Sequence, residues 1–451
     1  MALSAGRVLF TFALLSLCLL IINLWLMAGH EQPNPSALTQ GSLETKLAGL
    51  SEEAIKQATA AHHLELELSQ LKAAIKQGRA IKVTLAKPQF NQAISTVAKP
   101  AASTEEIVLP ILVFACNRPE AIVQALDDLL KYRPSKEKFP LIVTRDCNHE
   151  ATRLAVDKYK DVIHRHLVQP DSGEIPNLDK KEKKMQGYFK ISRHYKWALG
   201  QIFDVMKYKA VIVMEDDLNI ASDFYEYFAA TYPLLKTDPT LYCVSAWNDN
   251  GKASQIEDNP ELLYRSDFFP GLGWMMLDTL WDEYRDVWPR GFWDDWIRQE
   301  DQRHGRSCIR PEISRTHTFG EKGVSLGLFY KTHLKFIVLN EKPVEWTKMD
   351  LSYLKKEKYD ESYTIAVYNS PIIPLSDLKK AAEEKTLSSV RITYDSKVTF
   401  KALAKQLNIM NDFKDGIPRT AYRGILPIVY NGLRVYLTPE SEWKKYDPSW
   451  T

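Results

Sequence analysis

From residue 8 to residue 28 the chain reads VLFTFALLSLCLLIINLWLMA without one charged residue, and about 20 successive apolar residues are what a helix needs to cross a bilayer. A retained anchor is expected rather than a cleaved signal peptide, because the run exceeds a signal h-region and no small-x-small cleavage site follows it. Arg7 precedes the run and nearly all of the chain follows it, so the charge bias favours a short cytoplasmic tail, residues 1–7, with the remainder lumenal. Cysteine usage agrees with an oxidising compartment. Cys18 lies inside the run, which leaves Cys116, Cys147, Cys243 and Cys308 for up to two disulfides. None of these cysteines forms a C-x-x-C pair, which argues against a zinc site or a redox motif. The only near match to an N-glycan acceptor, Asn34-Pro35-Ser36, is blocked by its proline, so no N-glycan is expected on the chain itself.

Beyond the anchor, Leu43, Leu47, Leu50, Ala54, Gln57, Ala61, Leu64, Leu68, Leu71 and Ile75 alternate steps of four and three, the spacing of an a/d seam on one helix face. The pattern predicts a helical stalk. Ala54, Gln57 and Ala61 weaken the middle of the seam, so pairing into a homodimer and a solitary amphipathic helix both remain open readings. Gly78 ends the pattern, and the following mixture of Ala, Pro, Gln and Thr reads as linker, making 29–106 a stem.

From residue 107 short apolar runs alternate with amphipathic segments. Residues 107–116, 141–144 and 210–214 read as buried strands, and 119–132 and 194–206 as helices. Continuous apolar strands separated by helices predict an α/β sheet covered on both faces, with ligands at the carboxyl ends of its strands. A lysine- and tyrosine-rich segment, 342–368, separates a smaller last unit with shorter apolar runs at 390–392 and 424–430. The expected organisation is therefore a main domain over 107–345 and a smaller one over 346–451. Lys plus Arg number 59 against 57 for Asp plus Glu, which gives no electrostatic case for nucleic acid as a partner.

The strongest local signal is Val211-Ile212-Val213-Met214-Glu215-Asp216-Asp217, a buried strand running directly into three carboxylates. Adjacent acids are costly to hold together unless a cation or hydrogen-bond donors compensate them. Oxygen ligands suit Mg²⁺ or Mn²⁺, with a diphosphate on the far side of the ion; a solvated acidic turn is the plainer alternative. A nucleoside triphosphatase would need G-x-x-x-x-G-K-[ST], and the chain has none. Gly271-Leu272-Gly273 lacks a third glycine and reads as a turn that lets backbone approach a ligand. Gly323-Val324-Ser325-Leu326-Gly327 matches a serine-hydrolase elbow in letters, but no strand precedes it and no acid lies between Ser325 and His333, the only later histidine. It reads instead as a loop offering backbone N–H and a hydroxyl to phosphate. In Phe292-Trp293-Asp294-Asp295-Trp296 two carboxylates stand between aromatics, which suits a general base whose proton affinity is raised by an apolar wall; a helix start with core tryptophans is the alternative. Arg306, Arg310 and Arg315 are candidates for phosphate or for pairing with acids.

Together, EDD after a strand, YRSDFFPGLGWM at 264–275, FWDDW at 292–296, CIRPEISRT at 308–316 and FGEKGVS at 319–325 closely resemble the N-acetylglucosaminyltransferase I family, alpha-1,3-mannosyl-glycoprotein 2-beta-N-acetylglucosaminyltransferases of the Golgi. The similarity spans most of 107–451. It implies a GT-A fold, Mn²⁺ as cofactor, UDP-GlcNAc as donor, the Man5 high-mannose N-glycan of glycoproteins as acceptor, and a single-pass type II protein of the Golgi membrane. By motif, Asp217 resembles the family's direct ligand to manganese, and Glu215 and Asp216 would face donor sugar and ribose. Arg118 in CNRPE, Asp146 beside Cys147, and His194 in ISRHYKWAL match residues holding the uridine diphosphate, and Ser325 matches the loop residue touching phosphate. Asp294 matches the catalytic base, with Asp295 adjacent to it. The resemblance also implies the pairs Cys116–Cys147 and Cys243–Cys308. The alternatives are the related O-mannose β-1,2 enzyme and a catalytically silent glycan-binding Golgi protein.

Overall fold

Two adjacent strands with continuous apolar sequence dictate the centre of the molecule. In β1 (Ile111–Ala115) every residue is buried, because successive side chains point to opposite faces and both faces are covered. Ile111, Val113 and Ala115 enter one hydrophobic cluster, while Leu112 and Phe114 enter a second on the other side. Around β1 the chain builds β2 (Leu141–Arg145), β3 (Arg165–Val168), β4 (Ala210–Glu215), β5 (Leu218–Ile220), β6 (Leu241–Ser245), β7 (Leu263–Ser266), β8 (Trp274–Leu277), β9 (Ser307–Pro311) and β10 (Thr316–Thr318). The computed structural model describes residues 107–170, 173–321, 323–324, 327–440 and 443–450. The apolar run at 8–28, the seam at 43–75 and Ser325 lie outside the described residues. Among the described residues no helix is long and apolar enough to cross a membrane.

The main sheet has eight strands in the order β3-β2-β1-β4-β8-β6-β9-β7. β3, β2, β1 and β4 are mutually parallel, β8 runs antiparallel to both β4 and β6, and β6 and β9 are parallel. The strand order therefore reverses at β1, with β2 on one side and β4 on the other. In open α/β sheets the carboxyl ends of the strands at such a reversal form a crevice. The helix Pro119–Tyr132 follows β1 directly: Pro119, with its fixed φ, starts it, and Ile122, Ala125, Leu126 and Leu129 form its buried face. Arg118 is thereby held as the N-cap residue at the mouth of the crevice.

The helix Gln186–Gly200 runs on into a π-helical turn, Gln201–Val205. It starts eight residues before the helix expected at 194–206, and buried Phe189 and Ser192 anchor its early turns. Two disulfides close the sheet. Cys116–Cys147 joins the segments leaving β1 and β2 across a Cα separation of 5.0 Å, and Cys243–Cys308 ties β6 to β9 at directly paired positions.

The C-terminal residues add β11 (Ser389–Tyr394), a short hairpin of β12 (Phe413–Lys414) and β13 (Ile417–Pro418), then β14 (Leu426–Tyr430) and β15 (Leu433–Pro439), with β11-β15-β14 forming a three-stranded sheet. This sheet and the helices beside it enclose a third cluster, in which, among the described residues, Phe268 is the only buried member from before residue 378. The segment 342–368 packs differently from a separator. Val344, Trp346, Leu354 and, on the helix Lys356–Tyr368, Tyr359, Tyr363 and Val367 are all buried in the first cluster. All described residues fall within one compact unit.

Candidate active site

The crevice between β1 and β4 gathers most of the chemistry. The register pairs Phe114 with Glu215, so the residues just after β1 lie beside the acidic turn after β4. Arg118 Nη1 donates to Asp217 Oδ2 at 2.5 Å, and its Nη2 donates to Asp216 Oδ1. Both carboxylates are nearly enclosed, Asp216 2% and Asp217 8% exposed. Burial, with the Asp217 charge added to it, pushes the Glu215 carboxyl up to about 7, against Arg118 and a hydrogen bond from Tyr195. Burial pushes Asp216 up to about 6, with the pull of Arg118 opposing it. The turn is thus a place where negative charge is held at a cost and a cation is favoured.

Several features bear on whether a divalent metal fits. Glu215, Asp216 and Asp217 do not bring their oxygens within 4.8 Å of one another as a set, so these acids do not form a cage by themselves. Among the described residues the group that does converge is Cys116, Asp146 and Cys147, but those sulfurs are bonded to each other and have no thiolate to offer. Against Asp217 lies Gly320. A Cβ there would come within 2.7 Å of the Asp217 carboxyl carbon and 3.0 Å of Arg118 Nη1, so only a glycine lets the carboxylate and its arginine pack this closely against the loop. The Phe319 N–H donates to the Asp217 carbonyl at 3.0 Å, which fixes the loop against the turn. A hard cation held by Asp217 and completed by oxygens from outside the chain fits this donor set.

On the other side of β1, His194 is 4% exposed. Its Nε2 lies 2.8 Å from the Thr144 hydroxyl and its Nδ1 3.7 Å from Asp146 Oδ1. Burial, aided by the Arg193 charge, lowers the imidazole to about 3, so it is neutral and one ring nitrogen can accept a hydrogen bond. Asp146 is raised, again mainly by burial.

Asp294 and Asp295 lie in the first turn of the short helix Trp293–Ile297, entered through Phe292 in a left-handed conformation, φ 54°. Arg298 Nη1 donates to Asp294 Oδ2 at 2.9 Å and to Asp295 Oδ1 at 3.0 Å, and Lys414 reaches Asp295 Oδ2 at 2.9 Å. Asp295 is therefore held by two cations and Asp294 by one, and the Asp294 side chain keeps 43% of its surface exposed. The expected rise in its proton affinity does not occur. Burial pushes it up, but the charge and hydrogen bond of Arg298, one turn further along the helix, outweigh this and hold the carboxyl below the usual range. The neighbouring indole is also not a sugar platform. Trp293 is buried among Tyr195, Trp274, Trp288 and Phe269. The half-buried aromatic pair beside Asp294 is Tyr188 and Phe292, stacked at 4.7 Å.

Two elements are joined by a residue that sequence reasoning passed over. Tyr195, next to His194, donates its hydroxyl to Glu215 Oε1 at 3.1 Å and stacks on Trp293 at 4.3 Å, so it links the acidic turn to the helix bearing Asp294. Its one signal in the sequence is adjacency to His194 in ISRHYKWAL. The three downstream arginines serve acids and the core instead of the crevice: Arg306 pairs with Glu283, Arg315 with buried Asp223, and Arg310 lies over the Tyr264 ring. Gly273, expected to admit a ligand, has φ +90°, and its space is filled by Thr316 and Met214 of the chain itself.

Comparison with known proteins extends this picture. The model of the GNT-I family matches residues 9–450. An alpha-1,3-mannosyl-glycoprotein 2-beta-N-acetylglucosaminyltransferase of Arabidopsis thaliana is 39% identical over 350 residues, 76% of this chain and 77% of that protein. Among solved structures, residues 1–349 of S. aureus TarS align with a TM-score of 0.34 and 12% identity over 61% of this chain and 78% of that one. The mannosyltransferase PcManGT of Pyrobaculum calidifontis, in complex with GDP-Man and Mn²⁺, aligns with a TM-score of 0.32 and 12% identity over 62% and 81%. These two likenesses are slight. The family match from residue 9 to residue 450, together with a relative 39% identical over 350 residues, shows that the chain belongs to the GNT-I family.

Proposed function

We propose that this chain is an inverting, GT-A type glycosyltransferase that moves N-acetylglucosamine from UDP-GlcNAc, in β-1,2 linkage, to the α-1,3 mannose arm of Man5GlcNAc2 on glycoproteins. That step opens hybrid and complex N-glycan synthesis. The observation that carries the reading is the meeting, at the carboxyl ends of the parallel strands β1 and β4, of Arg118, the 215–217 acids and, through Tyr195, the helix of Asp294.

Asp217 would hold Mn²⁺, which when bound supplies positive charge against the departing diphosphate. Arg118 would neutralise the same group, with neutral His194 and Asp146 holding the uridine. The donor sugar is α-linked and the product β-linked, so a single in-line displacement by the mannose 2-hydroxyl suffices and no protein nucleophile is required. Asp294 would accept the proton of that hydroxyl. A carboxylate kept below its usual range by Arg298 is fully ionised at neutral pH, so its contribution lies in readiness and placement rather than in enhanced basicity.

In this reading the catalytic part spans 107–345 and a smaller part 346–451. Residues 8–28 anchor the protein as a single-pass type II protein of the Golgi membrane, and the seam at 43–75 pairs two copies. Turnover of UDP-GlcNAc with Man5 and O-mannosyl acceptors, with and without Mn²⁺, tests the proposal. Transfer to Man5 alone supports it; preference for the O-mannosyl acceptor, or no transfer to either, overturns it.

A further inference from the structure

Tyr195 is 3% exposed, and its ring is clamped on both sides. Phe114 of β1 stacks on one face at 3.9 Å with 8° between planes, and Trp293 on the other at 4.3 Å with 25°. A ring held in this way has no freedom to turn, so the direction of its hydroxyl is fixed by β1 and by the helix Trp293–Ile297. The hydroxyl donates to Glu215 Oε1 at 3.1 Å. Among the described residues Oε2 of Glu215 accepts no hydrogen bond. Burial, followed by the Glu215 charge and fields from Asp294 and Asp217, drives the phenol well above its ordinary range, so it stays protonated and acts as a donor.

A carboxylate with one oxygen pinned can offer the other in only one direction. It then recognises a hydroxyl that points along that line and rejects an epimer in which the hydroxyl points elsewhere, because the enclosed oxygen is left unpaired. We propose that Tyr195 is a positioning residue for Glu215: it holds Oε1, aims Oε2 at a hydroxyl of the transferred sugar, and so sets selectivity among UDP-N-acetylhexosamine epimers. This inference rests on the reading of the chain as a UDP-GlcNAc transferase.

The test uses the full chain carrying Tyr195→Phe, which keeps the aromatic stack and removes only the hydroxyl. Transfer from UDP-GlcNAc and from its C4 epimer UDP-GalNAc is measured on the same acceptor, alongside UDP affinity by calorimetry with Mn²⁺ and the melting temperature. UDP affinity is expected to stay within about two-fold, kcat/KM for UDP-GlcNAc to fall by roughly 10- to 100-fold, and the preference for UDP-GlcNAc over UDP-GalNAc to shrink by about ten-fold. In a Glu215→Ala background, where no carboxyl is left for the phenol to hold, the same change should add nothing to the loss of preference. An unchanged epimer preference in Tyr195→Phe, or a loss of UDP affinity equal to the loss of transfer, overturns the proposal. Failure of the wild-type chain to use UDP-GlcNAc would instead sink the functional reading beneath it.

Discussion

Replacing Gly320 by alanine adds one methyl group at the most crowded point of the crevice. The new Cβ would lie 2.7 Å from the Asp217 carboxyl carbon and 3.0 Å from Arg118 Nη1. Ordinary carbon contacts begin near 3.5 Å, and Asp217 Oδ2 lies closer to the new Cβ than the carboxyl carbon does, so Asp217 and the loop must separate by more than about 1 Å. Asp217 cannot yield easily, because its carbonyl is tied to the Phe319 N–H and its carboxylate to Arg118. Overpacking of this kind costs about 1–3 kcal/mol of stability, a few degrees of melting temperature in a chain of this size. The functional cost is larger, because misplacing a reacting group by about 1 Å lowers rates by roughly 10²-fold. Gly320→Ala is therefore expected to remain folded, to require more Mn²⁺ for half-maximal turnover, and to lose about 10² in kcat/KM for UDP-GlcNAc. Three residues along the same loop, Gly323 supplies the comparison: a Cβ there meets none of the described residues within 4 Å, so Gly323→Ala should lose far less than Gly320→Ala. Steady-state kinetics over a metal titration reads both variants. Wild-type kinetics in Gly320→Ala, or equal losses in the two variants, would refute the argument that this glycine makes room at Asp217.

Three further outcomes are expected. Asp294→Asn should retain UDP-GlcNAc affinity while kcat falls by about 10²–10⁴; Asp295→Asn, whose partner carboxylate still faces Arg298, should lose far less, and the reverse order would assign the base to Asp295. Opening Cys243–Cys308, which closes a 65-residue separation, should cost roughly 4 kcal/mol by chain entropy, and a double alanine variant with unchanged denaturant midpoint would contradict this. His194 is neutral in the fold, its value lowered from 6.5 to about 3, so its stabilising share is complete above pH 6.5 and is lost as pH falls toward 3. At pH 5 that loss is about 2 kcal/mol, partly offset by the raised Asp146; His194→Gln should flatten the fall in stability between pH 7 and 5, and an unaltered slope would count against a buried neutral imidazole.

What could be read in the sequence was local. β1 is apolar throughout, β2 opens on Leu141-Ile142-Val143 and β4 is apolar from Ala210 to Met214, and Pro119 marks the start of its helix, so neighbours in the chain were enough to find them. The acids at 215–217 declared themselves because three carboxylates follow a buried strand. Burial of the 342–368 segment was hidden by its lysines: Tyr359, Tyr363 and Val367 lie at helical spacing, yet most of the residues between them are polar and mask the stripe. The environment of Asp294 was misread because indoles are its sequence neighbours, whereas in space Trp293 turns into the core and Arg298 comes round to the carboxylate. The clamp on Tyr195 needs Phe114 and Trp293 from distant parts of the chain, and the cation at Asp216 and Asp217 comes from Arg118, 98 and 99 residues away. No periodicity reports such meetings.

The Arg118 clamp also bears on how the protein comes into being. Many small metal-binding domains cannot fold until the ion arrives, because their ligands repel one another without it. Here a guanidinium from the same chain already sits against Asp216 and Asp217, so the negative charge of the turn is balanced within the chain and its enclosure need not wait for an ion. If the turn takes up a divalent ion, as proposed, folding and metal loading are separate events, and shortage of the ion would leave a store of intact, idle molecules rather than misfolded ones.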